Sequence, residues 1–374
     1  MNAFRDNSGD DSKHKLDPRV LTAGLIVGII EFELFSLVDG IIRIAKQDAW
    51  ICIILGSLII SAAAYLLIRL AARFPGESPF QYGKKIWGKP IAFLLGILYL
   101  LYWGGFLALI SQDASMANRV FFLKSTPPGI PMLILAIAAV WLAAYGLTAI
   151  IRFFQLNLPL LILPLILVFL IAIRNIDLHN FRPVLANGVM PVIKGTLYYL
   201  GAMQGFEIIL FLGPFLKNVR AAVKPALAGI YTIIALSLVQ LLTVVGIMGT
   251  ENVEAAIWPG ISAISVIQLP GFPVERFELF LTVPWIIGVF TTICLYTYFL
   301  VSGITGILGI KKGRGISYFA AAIITLAAYM FPSYAAVLQV RSYYNAVTPV
   351  FLYLLPIAAL LTAFLRKKRG GRNG

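Results

Sequence analysis

Long apolar runs alternate with short polar segments along the whole chain, and several exceed the roughly 20 residues that a helix needs to cross a bilayer. Backbone polar groups in lipid must pair within their own segment, so we interpret these runs as helices. The sequence lacks the short alternating segments of a membrane β-barrel. It predicts an all-α polytopic membrane protein with about ten transmembrane helices, at 20–44, 49–71, 91–112, 128–150, 155–174, 191–216, 222–249, 276–308, 315–333 and 346–365.

Composition supports this class and suggests an orientation. Hydrophobic residues make up 60% of the 374 residues and charged residues 12%, which is too little charge to cover a soluble surface. With Met1 in the cytoplasm, 21 of the 30 basic residues fall on the inner side, so both termini are predicted to be cytoplasmic. The net charge of +14 then reflects topology. We expect no nucleic-acid partner, because no soluble basic recognition face is predicted.

The ten spans divide into two sets of five. When a unit of five spans is repeated in tandem, the odd number of crossings gives the second copy the opposite orientation in the membrane. The first set of spans belongs to a predicted repeat at 20–174 and the second to a repeat at 191–365, with an outer loop at 175–190 between them. A cytoplasmic tail precedes them at 1–19, and a basic cytoplasmic tail follows at 366–374.

Residues for enzymatic chemistry are scarce. The two histidines, His14 and His179, lie in a tail and a loop, so neither a metal site nor a Ser/His/Asp arrangement is indicated. Cys52 and Cys294 lie within apolar spans, where cysteine usually packs as a small hydrophobic residue. We therefore expect no enzymatic activity, no metal and no cofactor.

Acidic residues inside the spans carry the information about function. Glu31 and Glu33 lie at the centre of span 1, Asp39 lies nearer its outer end, and Glu207 lies near the centre of span 6. A charge at the bilayer centre costs roughly 2.5–3.5 kcal/mol on insertion scales, so each acid needs a functional or pairing reason.

Glu31 and Glu33 would point about 200° apart on a regular helix. If the helix is interrupted there, both carboxylates can face a polar cavity. Irregular backbone at this depth occurs only where protein or water covers it, so such an interruption would itself indicate a cavity or a protein contact. Alternatively, one acid is buried in its protonated form against a neighbouring hydroxyl or amide.

The stretch "GAMQGFE" at 201–207 places two glycines, a glutamine and a glutamate within span 6. Discontinuous first helices of inverted repeats build the substrate site of many secondary transporters, so we interpret this stretch as a helix break lining a cavity. Gly201 and Gly205 also fit a small-xxx-small packing face, but that alternative does not explain Gln204 and Glu207.

Aromatic residues in span 3 are a weaker candidate. Tyr102 and Trp103 precede a Gly-Gly pair and could wall the pocket. Aromatic residues in spans more often serve packing, and that alternative stays open.

Six segments, in order, resemble the B subunit of the spore germinant receptors, a branch of the amino acid–polyamine–organocation transporter superfamily. They are "QDAW" (47–50), "RFPGESPFQYGKKIWGKPI" (73–91), "YGLTAIIRF" (145–153), "NFRPVLANGVMPVIKG" (180–195), "GFEIILFLGPFL" (205–216) and "PVERFELF" (273–280). The similarity runs from about Lys15 to the C-terminal tail.

The resemblance implies the LeuT/APC transporter fold, with a 5+5 inverted repeat and broken helices 1 and 6. It also implies the inner membrane of the endospore, a complex with an A-type membrane subunit and a C-type lipoprotein, and sensing of a small nutrient such as an amino acid. Gly205, Phe206 and Glu207 fall in the family's span 6 motif. The full predicted ligand site comprises Glu31, Glu33, Ser36, Tyr102, Gly201, Gln204, Gly205, Phe206 and Glu207.

Span 1 departs from the family pattern of a glycine-rich break followed by Leu-Pro. Glu31 and Glu33 occupy the glycine positions and Val38 the proline position. A carboxylate pair there would suit a cation or an ammonium group better than a carboxylate ligand.

Three functions therefore compete. The leading one is a nutrient-sensing receptor subunit that binds a ligand in a mid-membrane pocket between helices 1 and 6. The second is a cation- or proton-coupled transporter of amino acids or amines. The third is a structural or ion-conducting subunit.

Overall fold

The computed structural model describes residues 15–32, 38–118, 125–127, 129–256, 258–267, 279–309 and 334–370, with a few isolated helical positions between 319 and 326. Six helical stretches in these ranges are long and apolar enough to span a membrane, and two shorter apolar helices accompany them. The prediction of an all-α membrane protein is confirmed. Predicted span 9, at 315–333, lies almost wholly outside the described residues.

The described residues of the first half of the chain form seven α-helices. They are α1 (Val20–Phe32), α2 (Val38–Ala45), α3 (Ala49–Arg73), α4 (Pro79–Trp87), α5 (Lys89–Ala117), α6 (Gly129–Ala144) and α7 (Leu147–Ala172). Helix α4 is short and begins with a capping box, in which Ser78 and Gln81 satisfy each other's backbone N–H groups. It connects α3 to α5 at one end of the bundle.

The second half of the chain forms seven further described helices. They are α8 (Val189–Gly201), α9 (Ile208–Leu212), α10 (Val223–Ala255, kinked at Gly249), α11 (Pro259–Ser265), α12 (Leu279–Leu308), α13 (Tyr334–Pro349) and α14 (Leu355–Leu365). A π-helical turn, Val350–Leu354, joins α13 to α14.

Two predicted boundaries are wrong. The break between spans 4 and 5 falls at Tyr145 and Gly146, where Gly146 has a φ of 90°, and not at 150–155. A positive φ suits glycine and interrupts a helix, whereas the sequence "LTAIIRFF" after it continues without a helix breaker. The last helical stretch begins at Tyr334 and not at 346, and its first helix, α13, buries the polar residues Arg341, Asn345 and Thr348 inside the bundle.

Span 1 and span 6, the first spans of the two halves, each contain two described helices. Span 1 appears as α1 and α2, and the residues between them, 33–37, lie outside the described part of the chain. Span 6 appears as α8 and α9, separated by a non-helical turn at 202–207. The predicted break in span 6 is therefore confirmed.

Helices α1 and α12 lie at the centre of the bundle. Helix α12 packs against α1, α5, α6 and α7, and α1 also contacts α9 and α10. Helices α2 and α8 pack against each other, and α13 packs against α8 on another side. This arrangement brings span 1, span 3, span 8 and span 10 around the break in span 6.

Backbone hydrogen bonds gather several polar segments at one end of the bundle. Leu16 N–H donates to the Phe215 carbonyl at 2.7 Å, and Gly370 N–H donates to the Arg73 carbonyl at 3.0 Å. One end of the bundle thus holds four segments, namely both tails, the end of span 6 and the end of α3. At the opposite end, Gln47 Nε2 donates to the Pro183 carbonyl. The two sides match the predicted grouping of loops, and cytoplasmic placement of the first remains a prediction.

Candidate functional site

The turn at 202–207 is held by glycine geometry. Gly205 has a φ of 100°, a conformation that glycine adopts readily and other residues rarely do. A Cβ atom at this position would overlap the carbonyl oxygen of Gly28 in α1. The break in span 6 therefore rests directly on the backbone of span 1.

Glu207 points its carboxylate into the protein at the end of this turn, and its side chain is buried. Oε1 accepts hydrogen bonds from the Tyr296 hydroxyl at 2.9 Å and from Trp103 Nε1 at 3.3 Å. Oε2 accepts from the Gly205 N–H at 3.1 Å. The carboxylate thus joins spans 3, 6 and 8 through three neutral donors.

Aromatic side chains pack around Trp103, one of the hydrogen-bond donors to Glu207. The Trp103 ring lies 5.2 Å from Phe211 and 5.4 Å from Phe299, centroid to centroid, and the last two rings lie 4.5 Å apart. Low polarity around a carboxylate strengthens its interactions with polar groups and makes an unpaired charge costly. This environment would favour a cationic partner for the carboxylate.

Gln204 forms the second polar centre of the turn. Its Nε2 donates to the Gly201 carbonyl at 2.8 Å, and to Asn345 Oδ1 and Thr348 Oγ1, each at 3.2 Å. The two acceptors on α13 lie three residues apart, which places them on the same face of that helix. Gln204 therefore ties the break in span 6 to span 10.

Tyr102 lies on a neighbouring wall. Its ring stacks on Tyr344 at 5.1 Å and on Phe351 at 4.5 Å. The adjacent Trp103 reaches Glu207, so span 3 contacts both the acidic centre and span 10.

The structure separates the predicted site residues by role. Gln204, Gly205 and Glu207 come together at the break, and Tyr102 lies beside Tyr344 on the wall. Gly201 is a packing contact, because a Cβ there would overlap the Asn345 carbonyl. Phe206 is fully buried against Tyr353, with ring centroids 5.6 Å apart.

The predicted site residues of span 1 lie mostly outside the described part of the chain. The backbone of Glu31 belongs to the last turn of α1, while its side chain, Glu33 and Ser36 lie outside the described residues. Their roles stay predictions.

Sequence reasoning missed Tyr296, Asn345 and Thr348. Nothing in a single sequence signals that Tyr296 of span 8 reaches Glu207. Asn345 and Thr348 could have been found, because two polar residues three apart share one face of an otherwise membrane-spanning helix. The prediction began span 10 at 346 and so placed Asn345 outside the helix.

An apolar cavity of about 60 Å³ lies between α4, α5, α9 and α14. Glu207 and Trp103 are part of its lining, and the remaining lining residues are mostly apolar, among them Phe80, Leu95, Tyr99, Phe211 and Leu355. Burial raises the pKa of Tyr82 in α4, which also lines it, so this hydroxyl stays protonated at neutral pH.

A family model described as "Spore germination protein" matches residues 21–336. The chain belongs to this spore germination protein family. It is 29% identical over 321 residues to spore germination protein A2 of Bacillus subtilis (strain 168), covering 86% of this chain and 87% of the relative. It is 28% identical to spore germination protein KB of the same organism, covering 80% and 82% of the two chains.

Solved structures share the fold at low sequence identity. The nucleobase-cation-symport-1 family transporter Mhp1, in a closed conformation, aligns with a TM-score of 0.64 and 15% identity, covering 95% of this chain and 80% of that one. A Na+-coupled sialic acid symporter aligns with a TM-score of 0.59 and 12% identity, covering 95% and 82%. The spore germination family member thus has the LeuT/APC transporter fold, with broken helices 1 and 6. It is a multi-pass membrane protein.

Proposed function

We propose that this protein is the nutrient-sensing subunit of a spore germination receptor, and that it binds a small nutrient in a mid-membrane pocket between helices 1 and 6. The observation that carries the proposal is the contact between the turn at Gly205 and the backbone of Gly28, beside the buried carboxylate of Glu207. Membership of the spore germination protein family supplies the physiological context.

The proposed pocket can report binding to the rest of the protein. Glu207 connects spans 3, 6 and 8, and Gln204 connects span 6 to span 10. A ligand that competes for these hydrogen bonds changes how the four spans pack. A receptor needs such a coupling between binding and helix arrangement, and it does not need to release the ligand on the other side.

Further parts of the proposal come from the family resemblance. The protein would reside in the inner membrane of the endospore with both termini in the cytoplasm, and would assemble with an A-type membrane subunit and a C-type lipoprotein. The exposed apolar side chains of α6 and α7, such as Ile134, Leu156 and Leu163, are suited to lipid or to a membrane-embedded partner.

Ligand-dependent thermal stabilisation of the full-length protein in lipid nanodiscs tests the proposal. The probes are amino acids and simple sugars offered singly. Specific binding stabilises the folded state by mass action, so a true nutrient raises the melting temperature in a saturable manner. Spores that lack the gene should lose the response to the same compound. If no compound of the panel stabilises the protein, and if the spores that lack the gene germinate normally, the proposal is refuted.

A cation-coupled transporter of amino acids or amines is the second candidate. The structures of similar fold include proteins described as a nucleobase-cation symporter and a Na+-coupled symporter. Glu207, buried with neutral hydrogen-bond donors, is a candidate proton carrier. Uptake of a radiolabelled amino acid by the isolated protein in proteoliposomes, driven by a proton or sodium gradient, would favour this function.

A further inference from the structure

Asp39 is a buried acid in the first turn of α2, and only 6% of the residue is exposed. Neither of its carboxylate oxygens has a hydrogen-bond partner among the residues that the structure describes. Burying a carboxylate without a partner is costly, and native proteins usually satisfy such groups. Asp39 therefore requires an explanation beyond packing.

Two ordinary roles do not account for Asp39. An acid in the first turn of a helix can bond to free backbone N–H groups there, but the Asp39 oxygens accept no such bond. Arg43 lies one turn further along α2, and its Nη2 donates to the Ala256 carbonyl at 2.7 Å. Arg43 attracts Asp39 through space without a hydrogen bond to its carboxylate.

A series of contacts leads from Gly40, the neighbour of this acid, through α8 and α13 to the break in span 6. The Tyr198 ring of α8 lies against Gly40, the residue next to Asp39. Gly201, three residues after Tyr198 on α8, lies against the Asn345 carbonyl of α13. Asn345 bonds to Gln204 at the break in span 6.

We name Asp39, Tyr198, Asn345 and Gln204 the outer polar cluster. Within the described part of the chain, two further polar atoms of the cluster lack a hydrogen-bond partner, namely Gln204 Oε1 and Asn345 Nδ2. The cluster joins α2, α8 and α13 next to the turn at 202–207.

We propose that the outer polar cluster binds a primary ammonium group, with Asp39 as its counter-ion. An ammonium group has three donors and no acceptor, and the cluster offers a carboxylate, a phenolic oxygen and an amide oxygen. Charge-assisted hydrogen bonds of this kind are about twice as strong as neutral ones. This inference rests on the proposed function and assigns its ligand class, that of nutrients carrying an amine.

Titration of the full-length protein in lipid nanodiscs tests the inference, with n-butylamine hydrochloride as the probe. Its neutral counterpart n-butanol and sodium chloride at equal ionic strength are the controls. We expect saturable thermal stabilisation by butylammonium, and by neither control. Stabilisation by sodium chloride to the same extent would overturn the assignment in favour of an inorganic cation.

Three variants and one control variant locate the site. Asp39→Asn should raise the Kd for butylammonium at least about tenfold, the range expected for loss of a charged hydrogen bond. Asp39→Glu, which keeps the charge, should retain measurable binding. Tyr198→Phe keeps the ring against Gly40, removes the hydroxyl and should weaken binding by a smaller factor. Glu251→Gln, at an exposed acid in the last turns of α10, should change nothing.

The outcomes separate this inference from the proposed function. If a nutrient stabilises wild type and Asp39→Asn equally, the nutrient-sensing function stands and the ammonium assignment is wrong. If Asp39→Asn fails to fold, Asp39→Glu and Tyr198→Phe decide, and unchanged butylammonium affinity in both would overturn the assignment. If butylammonium binds through Asp39 but no nutrient gives a germination response, the site stands and the receptor function fails.

Discussion

Gly205 in the break of span 6 lies directly against the backbone carbonyl of Gly28 in span 1. No other residue type fits both conditions at this point, a φ of 100° and a neighbouring carbonyl within the volume of a Cβ atom. The contact fixes the distance between the two helices that build the proposed pocket.

Gly205→Ala should destabilise the protein. A left-handed backbone at a residue with a Cβ costs roughly 1–2 kcal/mol, and the overlap with Gly28 adds to this. The melting temperature in detergent and the yield of monodisperse protein measure the effect. Gly104→Ala is the matched control, because its nearest neighbour to a Cβ is the Leu300 side chain at 3.9 Å. Equal stability of the two variants would contradict the role given to Gly205.

Glu207→Gln should alter the nutrient response more than it alters folding. All three neighbours of the carboxylate donate hydrogen bonds, so an amide NH2 group at either oxygen position faces a donor. We expect a stability loss of about 1–3 kcal/mol and a shifted ligand dose response. Membrane abundance and spore germination against nutrient concentration measure the two effects. A variant with the wild-type dose response would make Glu207 a packing residue.

Arg341 and Asp113 form a largely buried ion pair between α13 and α5. Arg341→Met should destabilise by roughly 3–5 kcal/mol, because it leaves Asp113 without its partner. The double variant Asp113→Leu with Arg341→Met should recover part of that loss. Thermal unfolding of wild type, both single variants and the double variant gives the coupling energy. Additive losses would show that the two residues act independently.

Accessibility labelling tests the orientation. Single cysteines at Asn187 and Thr250 should react with a membrane-impermeant maleimide from outside, and a cysteine at the exposed Lys89 only after permeabilisation. The native Cys52 and Cys294 are buried and provide an internal background control. The reverse pattern of labelling would invert the topology.

Part of the candidate site was predictable because the signals are local. A charged residue costs free energy at mid-membrane wherever the chain goes, so Glu207 stands out without any tertiary knowledge. Gly201 and Gly205 lie six and two residues before it in the sequence, and the helix break follows from residues a few positions apart. The alternation of apolar runs and basic loops likewise predicts a helical membrane protein, since the bilayer imposes that length and that charge distribution.

The sequence by itself thus determined the membrane class, the break in span 6 and the acid placed there, because each depends on neighbours along the chain. Only the tertiary structure decided that Tyr296 and Trp103 bond to Glu207, that Gly205 touches Gly28, and that Gly40, the neighbour of Asp39, lies against Tyr198. Tyr296 and Trp103 are 89 and 104 residues away from Glu207 along the chain, so no local sequence pattern pairs them. Which faces meet depends on how α1, α5, α8, α12 and α13 pack, and helix packing is set by the shapes of whole surfaces.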